Sequence, residues 1–219
     1  MENDNNKINN SIQIIFATGN QGKIKEIEMI LADTPFKVLS LNDIAFLGEI
    51  IENGATFEEN AIIKAKTISE MTGEIVLADD SGLEIDYLNG EPGIYSARYL
   101  GENTSYRIKN AKIIERLSNV PDEKRTARFV CAIAAVFPNG EILTKSASIE
   151  GRIGYEEKGD GGFGYDPIFY IPEFKCTTAQ LSAEQKNLIS HRGKALREMK
   201  EILLKRMLTG DTDEDFDNK

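Results

Sequence analysis

Four acids stand where a group of carboxylates is costly. Asp79 and Asp80 are adjacent, follow the apolar run Ile75 to Ala78, and precede Ser81-Gly82; Glu52 and Glu59 lie upstream. Like charges at close range repel unless a cation or solvent offsets them. A hard cation such as magnesium takes oxygen ligands, commonly one or two carboxylates with phosphate and water completing the shell. A solvated turn is the plainer reading of an Asp pair. Glu59 follows Thr56 by three residues, the spacing of a helix capping box, which explains it as well as a metal does. The metal reading gains from the expected place of Asp79-Asp80 at the end of an apolar strand, where α/β folds put their sites.

Three further segments carry candidate chemistry. Thr18-Gly19-Asn20-Gln21-Gly22-Lys23 stands between the apolar run Ile12 to Ala17 and a helical pattern of Ile24, Ile27, Ile30 and Leu31. Its spacing is not that of a P-loop. A helix amino terminus with free N–H groups still favours a phosphate, and Lys23 adds a mobile charge; a plain strand-to-helix connector fits equally. Gly161-Gly162-Phe163-Gly164-Tyr165-Asp166-Pro167 is the densest glycine cluster. Aromatics between glycines suit a flat ring approached closely, or a tight structural turn. Ser190-His191-Arg192-Gly193-Lys194 is basic, opens a helix and holds the sole histidine. A lone histidine is more often structural, and a Cys–His or Ser–His–Asp mechanism has little support.

These segments need a frame. Strands are expected at Ile12 to Ala17, Phe36 to Leu41 and Ile75 to Ala78, with a half-exposed strand through Leu83, Ile85 and Tyr87. Arg125 to Phe137 and Glu141 to Gly154 read as a long hairpin turned at Pro138-Asn139-Gly140. Helices are expected after Lys23, over Thr56 to Met71, over Ser105 to Leu117 and over His191 to Leu208. Asp43 to Gly54 and Gly159 to Pro167 read as loops. The alternation predicts an α/β fold: a mixed sheet flanked by helices, in two lobes with a central cleft. Residues 1–10 read as a disordered leader, 11–208 as one catalytic domain and 209–219 as an acidic disordered tail.

Composition excludes several classes. The chain has 219 residues, 41% of them hydrophobic, enough for a sizeable core. No apolar run reaches the roughly 18–20 residues of a membrane span, and the polar Met1 to Asn10 lacks a secretory signal's apolar stretch. Net charge is −10, and no basic surface for nucleic acid is visible. Asp211 to Lys219 holds five acids and one lysine. An acidic enzyme still binds a polyphosphate where a few Lys and Arg converge and a metal bridges the rest. Two cysteines, Cys131 and Cys176, make neither a disulfide scaffold nor a Cys-rich zinc site, and the expected setting is the reducing cytoplasm.

Taken together, the segments resemble the inosine triphosphate pyrophosphatase family, also called the XTP/dITP pyrophosphatases. The matching stretches are Phe16 to Lys23, Glu52 to Asn60, Ala78 to Leu83, Pro92-Gly-Ile-Tyr-Ser-Ala-Arg98, Gly161 to Pro167 and Ser190 to Gly193. They occur in the family's order and cover roughly Ile12 to Met207. The resemblance implies an elongated mixed α/β fold with a cleft between two lobes, and a homodimer that binds purine nucleoside triphosphates and Mg2+; composition speaks against nucleic acid and membrane as partners. It implies that Thr18, Gly19, Asn20, Gln21, Gly22 and Lys23 bind the phosphates, that Glu52 and Asp80 hold magnesium, and that Asp80 is also the proton acceptor, with Glu59 or Asp79 assisting. Ser81 would touch the substrate, and Phe163, Gly164, Tyr165, Asp166, Lys186, His191 and Arg192 would surround the nucleoside. The implied reaction is attack of water on the α-phosphorus of ITP, dITP or XTP, giving the monophosphate and pyrophosphate.

Donor-only groups suit a base with a carbonyl at C6: Arg192, Lys186 and a protonated His191 would read that oxygen, with Phe163 or Tyr165 packed on the ring. Two rivals stand beside this reading. A Maf-like pyrophosphatase would prefer other modified bases. A nucleotide-binding module would bind without turnover.

Overall fold

The computed structural model describes residues 11–209. The expected leader, and all of the expected tail but Thr209, lie outside the described residues. One sheet of seven strands organises the molecule, in the order β2-β1-β3-β4-β5-β6-β7. The strands are β1 (Ile12–Phe16), β2 (Phe36–Ser40), β3 (Val76–Ile85), β4 (Thr126–Val136), β5 (Ile142–Ile153), β6 (Phe169–Ile171) and β7 (Cys176–Thr177). β1 runs parallel to both β2 and β3, and every other pairing is antiparallel. The helices are α1 (Gln21–Leu31), α2 (Phe57–Thr72), α3 (Tyr106–Arg116), α4 (Ala183–Ile189) and α5 (His191–Thr209).

The period-2 alternation of a strand explains why β4 is apolar almost throughout. Cys131, Ile133 and Ala135 face α1 and α5, in a cluster with Ile27, Leu31, Leu196 and Met199. Ala132, Ala134 and Val136 face α2, in a cluster with Phe57, Ala61, Ala65 and Ile68. Helices thus cover both faces at this end of the sheet. At the other end of β3, β4 and β5 a separate core forms from Leu83, Ile85, Phe129, Ile149 and Ile153 with Ile113, Leu117 and Phe169. The long strands run through both cores, and these are the two lobes.

Local sequence sets the boundaries. Thr56 caps α2 by accepting from the Glu59 N–H at 3.1 Å, and Gly73, at φ 70°, ends it with its N–H on Ser69 O. The β4–β5 hairpin turns at Asn139-Gly140, where Gly140 takes φ 88°.

Several expectations are corrected. Asp79 and Asp80 do not end a strand. They sit in the middle of β3, opposite Ile133 and Ala132 of β4, and the strand continues to Ile85. Leu83 and Ile85 are fully buried beneath the second core, and Tyr87 lies beyond the strand in an exposed turn. The short elements α4, β6 and β7 add to the expected set. Among the described residues, no helix is long and apolar enough to cross a membrane.

Candidate active site

A cleft of about 580 Å³ opens where the two lobes meet. The end of β1 supplies Ala17 to Asn20, α1 supplies Lys23, and the 41–55 loop supplies Phe46 and Glu52. α2 contributes Lys64, the middle of β3 Asp79 to Gly82, and the glycine-rich loop Phe163 to Asp166, with Lys186 from α4 and His191 and Arg192 from the start of α5. Of the sequence-derived candidates, Gln21, Gly22 and Glu59 do not line it.

Strand geometry separates the adjacent aspartates, because successive side chains point to opposite faces. Asp79 points toward α1 and α5, where Lys23 Nζ meets it at 2.9 Å and Arg192 Nε at 3.0 Å. Ser81, two residues on and on the same face, donates to Asp79 Oδ2 at 3.2 Å. Burial would raise the Asp79 carboxyl's pKa, but Lys23, Arg192 and Lys64 outweigh it and hold the group well below the carboxylate range. Asp80 points toward α2. Asn60 Nδ2 donates to its Oδ2 at 3.1 Å, and Lys64 Nζ lies 3.4 Å from its Oδ1. Burial raises the Asp80 pKa, with Glu52 adding to the rise and Lys64 opposing it. Gly82 comes next because a turn crosses β3 there: a β-carbon would lie 2.4 Å from Gly93 O and 2.5 Å from Ser96 Oγ.

A second set of charges adjoins the first. Arg192 is 2% exposed, donating through Nε to Asp79, through Nη1 to Glu26 at 2.5 Å and through Nη2 to Ser81 Oγ at 2.8 Å. Lys186 reaches Glu26 Oε1 at 2.8 Å and Asp166 Oδ2 at 2.6 Å. Burial alone would raise the Glu26 pKa, but Arg192 and Lys186 hold it below its ordinary value. Buried Asp166 also accepts from the Phe163 N–H at 2.7 Å and from Thr178 Oγ1 at 2.8 Å, so it fixes the turn of the glycine-rich loop. The Phe163 ring lies beneath the Lys186 ammonium, 4.5 Å from its centroid, and 5.5 Å from the Arg192 guanidinium carbon. Tyr165 is buried, with its hydroxyl on Ser96 O at 2.8 Å, which leaves Phe163 as the aromatic face of this loop best placed to meet a ring.

His191 departs from the donor-only expectation. Its ring stacks on Phe129 with centroids 4.9 Å apart, and its Nδ1 is buried without a hydrogen-bond partner among the described residues. Burial, with Arg192 and Lys186 close by, lowers its pKa well below the usual value. The ring is therefore neutral at pH 7 and presents one donor and one acceptor nitrogen.

The phosphate-binding expectation at the α1 turn also needs adjustment. Asn20 Oδ1 accepts from the N–H groups of Gly22 at 2.9 Å and Lys23 at 3.2 Å. These helix-terminus donors are already capped, and Lys23 Nζ is paired with Asp79, so an anion here would have to share them. Glu59 is likewise committed, accepting from the Ala55 N–H at 2.6 Å.

Glu26, Asn60 and Lys64 were missed by the sequence reading. A signal for the last two existed: Asn60 and Lys64 are four apart and fall in the buried stripe of α2 with Phe57, Ala61, Ala65 and Ile68, where polar residues require partners. Glu26 lies on the buried side of α1 with Ile27 and Ile30, the same signal.

The Ham1 family model matches residues 14–202. A Desulforamulus reducens protein named dITP/XTP pyrophosphatase is 51% identical over 192 residues, covering 88% of this chain and 96% of its own. A Geobacter sulfurreducens protein of the same name is 49% identical over 191 residues, covering 87% and 96%. Among solved structures, the Staphylococcus aureus Ham1 protein aligns with a TM-score of 0.79 at 42% identity, covering 89% of this chain and 99% of that one. A Coxiella burnetii HAM1 protein gives 0.81 at 40% identity, again covering 89% and 99%.

Proposed function

Because the chain belongs to the Ham1 family, we propose that it hydrolyses inosine, deoxyinosine and xanthosine triphosphates to the monophosphate and pyrophosphate. The observation that carries this is that one cleft brings together two kinds of group from different elements. The 41–55 loop and β3 bring the carboxylates Glu52 and Asp80, and the glycine-rich loop brings the ring of Phe163 beneath Lys186 and Arg192. A triphosphate laid across the cleft would put its phosphates near the first and its base near the second.

Glu52 and Asp80 suit magnesium. Both offer hard carboxylate oxygens to the cleft, and a cationic group, the Lys64 ammonium, already lies 3.3 Å from one and 3.4 Å from the other. Among the described residues, no cluster of three or more such ligands exists, so phosphate and water would complete the shell, as is common for this ion. Bound there, magnesium would neutralise phosphate charge and ease departure of pyrophosphate.

The protein's own groups then divide the work. Lys23, shared with Asp79, and the amino terminus of α1, shared with Asn20, attract the phosphates. Asp80, whose pKa is raised by burial, accepts the proton of the attacking water. The oxygen of that water bonds to the α-phosphorus, the bond from this phosphorus to the bridging oxygen breaks, and pyrophosphate carries the electron pair away. Asp79 is unsuited to the acceptor role because Lys23 and Arg192 hold its charge in place. Asn60 fixes the orientation of Asp80.

Base selection falls to Arg192 and Lys186, which only donate, toward an acceptor at C6. A cytoplasmic setting agrees with Cys131 and Cys176 being free thiols, and the same reading carries a homodimer, which light scattering checks. Metal removal tests the magnesium site. Turnover of ITP should vanish in EDTA and return with Mg2+, and full turnover by metal-free protein would overturn the role given to Glu52 and Asp80.

A further inference from the structure

Lys64 lies between Glu52 and Asp80, and its contacts differ in kind from the other ion pairs of the cleft. Its ammonium is 3.3 Å from Glu52 Oε2 and 3.4 Å from Asp80 Oδ1. Lys23 approaches Asp79 to 2.9 Å, and Lys186 approaches Asp166 to 2.6 Å. Lys64 is therefore shared between two carboxylates at ion-pair range without a short bond to either. Its side chain is 9% exposed and still borders the cleft, so an unbranched stem can carry the charge aside without unpacking α2. Asn60 makes the opposite kind of contact. It is neutral, also holds the Gly54 N–H at 2.9 Å, and donates to the other Asp80 oxygen, so it anchors Asp80 whichever cation is present.

A buried carboxylate, Asp80, and a half-buried one, Glu52, need a cation whether or not a metal is there. We infer that Lys64 is an exchangeable internal counter-ion, which occupies the cation position between Glu52 and Asp80 in the metal-free protein and is displaced when a divalent cation enters. This rests on the proposal that Glu52 and Asp80 hold the metal. Lys64 then acts through those two ligands as a positioning residue. It keeps the metal-free site folded and weakens metal binding by competing for the same oxygens.

The test is direct binding of Mn2+, a spectroscopic substitute for Mg2+, followed by electron paramagnetic resonance on wild type, Lys64→Met, Lys23→Met and Glu52→Gln, with melting temperatures with and without the ion. Lys64→Met keeps the stem and removes the charge. Its Mn2+ affinity should rise by about tenfold or more, as expected when a like charge within a few ångströms is removed. Lys23→Met removes an equal charge paired with Asp79 instead, and should change affinity several-fold less. Without metal, Lys64→Met should melt below wild type, and Mn2+ should raise its melting temperature more than it raises that of wild type. If wild type binds Mn2+, Glu52→Gln loses it, and Lys64→Met binds no tighter than wild type, the exchange is refuted while the metal site stands. An affinity gain equal in Lys23→Met and Lys64→Met also refutes exchange, since only the general field would matter. Binding in wild type that Glu52→Gln leaves intact, or no binding in any variant, refutes the metal site and the inference with it.

Discussion

Phe163 rests on Gly22. A β-carbon on Gly22 would lie 2.7 Å from Phe163 Cδ1, so the aromatic of the glycine-rich loop seats directly on the first turn of α1. The glycine-rich loop and the first turn of α1 meet at this contact. Gly22→Ala should displace the ring while leaving the helix intact, because alanine favours helix. The expected result is a KM for ITP raised by about tenfold, equivalent to about 1.4 kcal/mol, with a smaller change in kcat and an unchanged melting temperature. Steady-state kinetics and a thermal melt check it, and an unaltered KM would show that the ring's seat does not set nucleotide binding.

The adjacent aspartates should fail in different ways. Asp79→Asn removes a fully buried carboxylate from Lys23 and Arg192, depriving half-buried Lys23 of this partner and leaving buried Arg192 with Glu26. Urea unfolding should show a loss of about 3–5 kcal/mol. Asp80→Asn keeps the Asn60 contact in reach and faces the cleft, so folding should change far less while turnover falls about 10²–10⁴-fold. A stable Asp79→Asn protein, or a folded and fully active Asp80→Asn protein, would contradict the division of labour between the two faces of β3.

His191 gives a pH dependence with a definite sign. Its folded pKa lies well below the usual value of 6.5, so below about pH 6.5 the unfolded chain binds a proton that the folded one does not. The stability present above that pH should decline as pH falls, with a slope contributed by this group of at most about 1.4 kcal/mol per pH unit. His191→Phe, which can keep the stack on Phe129, should flatten the curve between pH 7 and 5. Denaturant titrations of both proteins across that range test it, and parallel curves would show that His191 is not buried neutral.

Much of this arrangement was legible in the residues. The run Val130 to Val136 is apolar because α1 and α5 cover one face and α2 the other, so the strand could be found even though its burial on both sides could not. Asp79-Asp80 misled because two acids in an apolar run look like its end. The strand continues through them because each carboxylate reaches cations on its own face, a fact of packing invisible locally. The short α4 carries a readable capping box, Ser182 with Gln185, but its seven residues are too few for periodicity to register. That Arg192 and Lys186 are tied to Glu26, and that His191 is uncharged, depends on residues far apart in sequence and became apparent only once they were assembled.

The central claim is the reaction and its base preference. The most direct measurement is kcat/KM for ITP, dITP, XTP, GTP and ATP with Mg2+, with the released phosphate species identified by 31P NMR. The account predicts pyrophosphate as the product, and ITP, dITP and XTP each turned over with at least about 100-fold higher kcat/KM than ATP, within the range a hydrogen-bonded site achieves. Release of orthophosphate from the γ position, equal turnover of ATP and ITP, or no turnover of any triphosphate would contradict it.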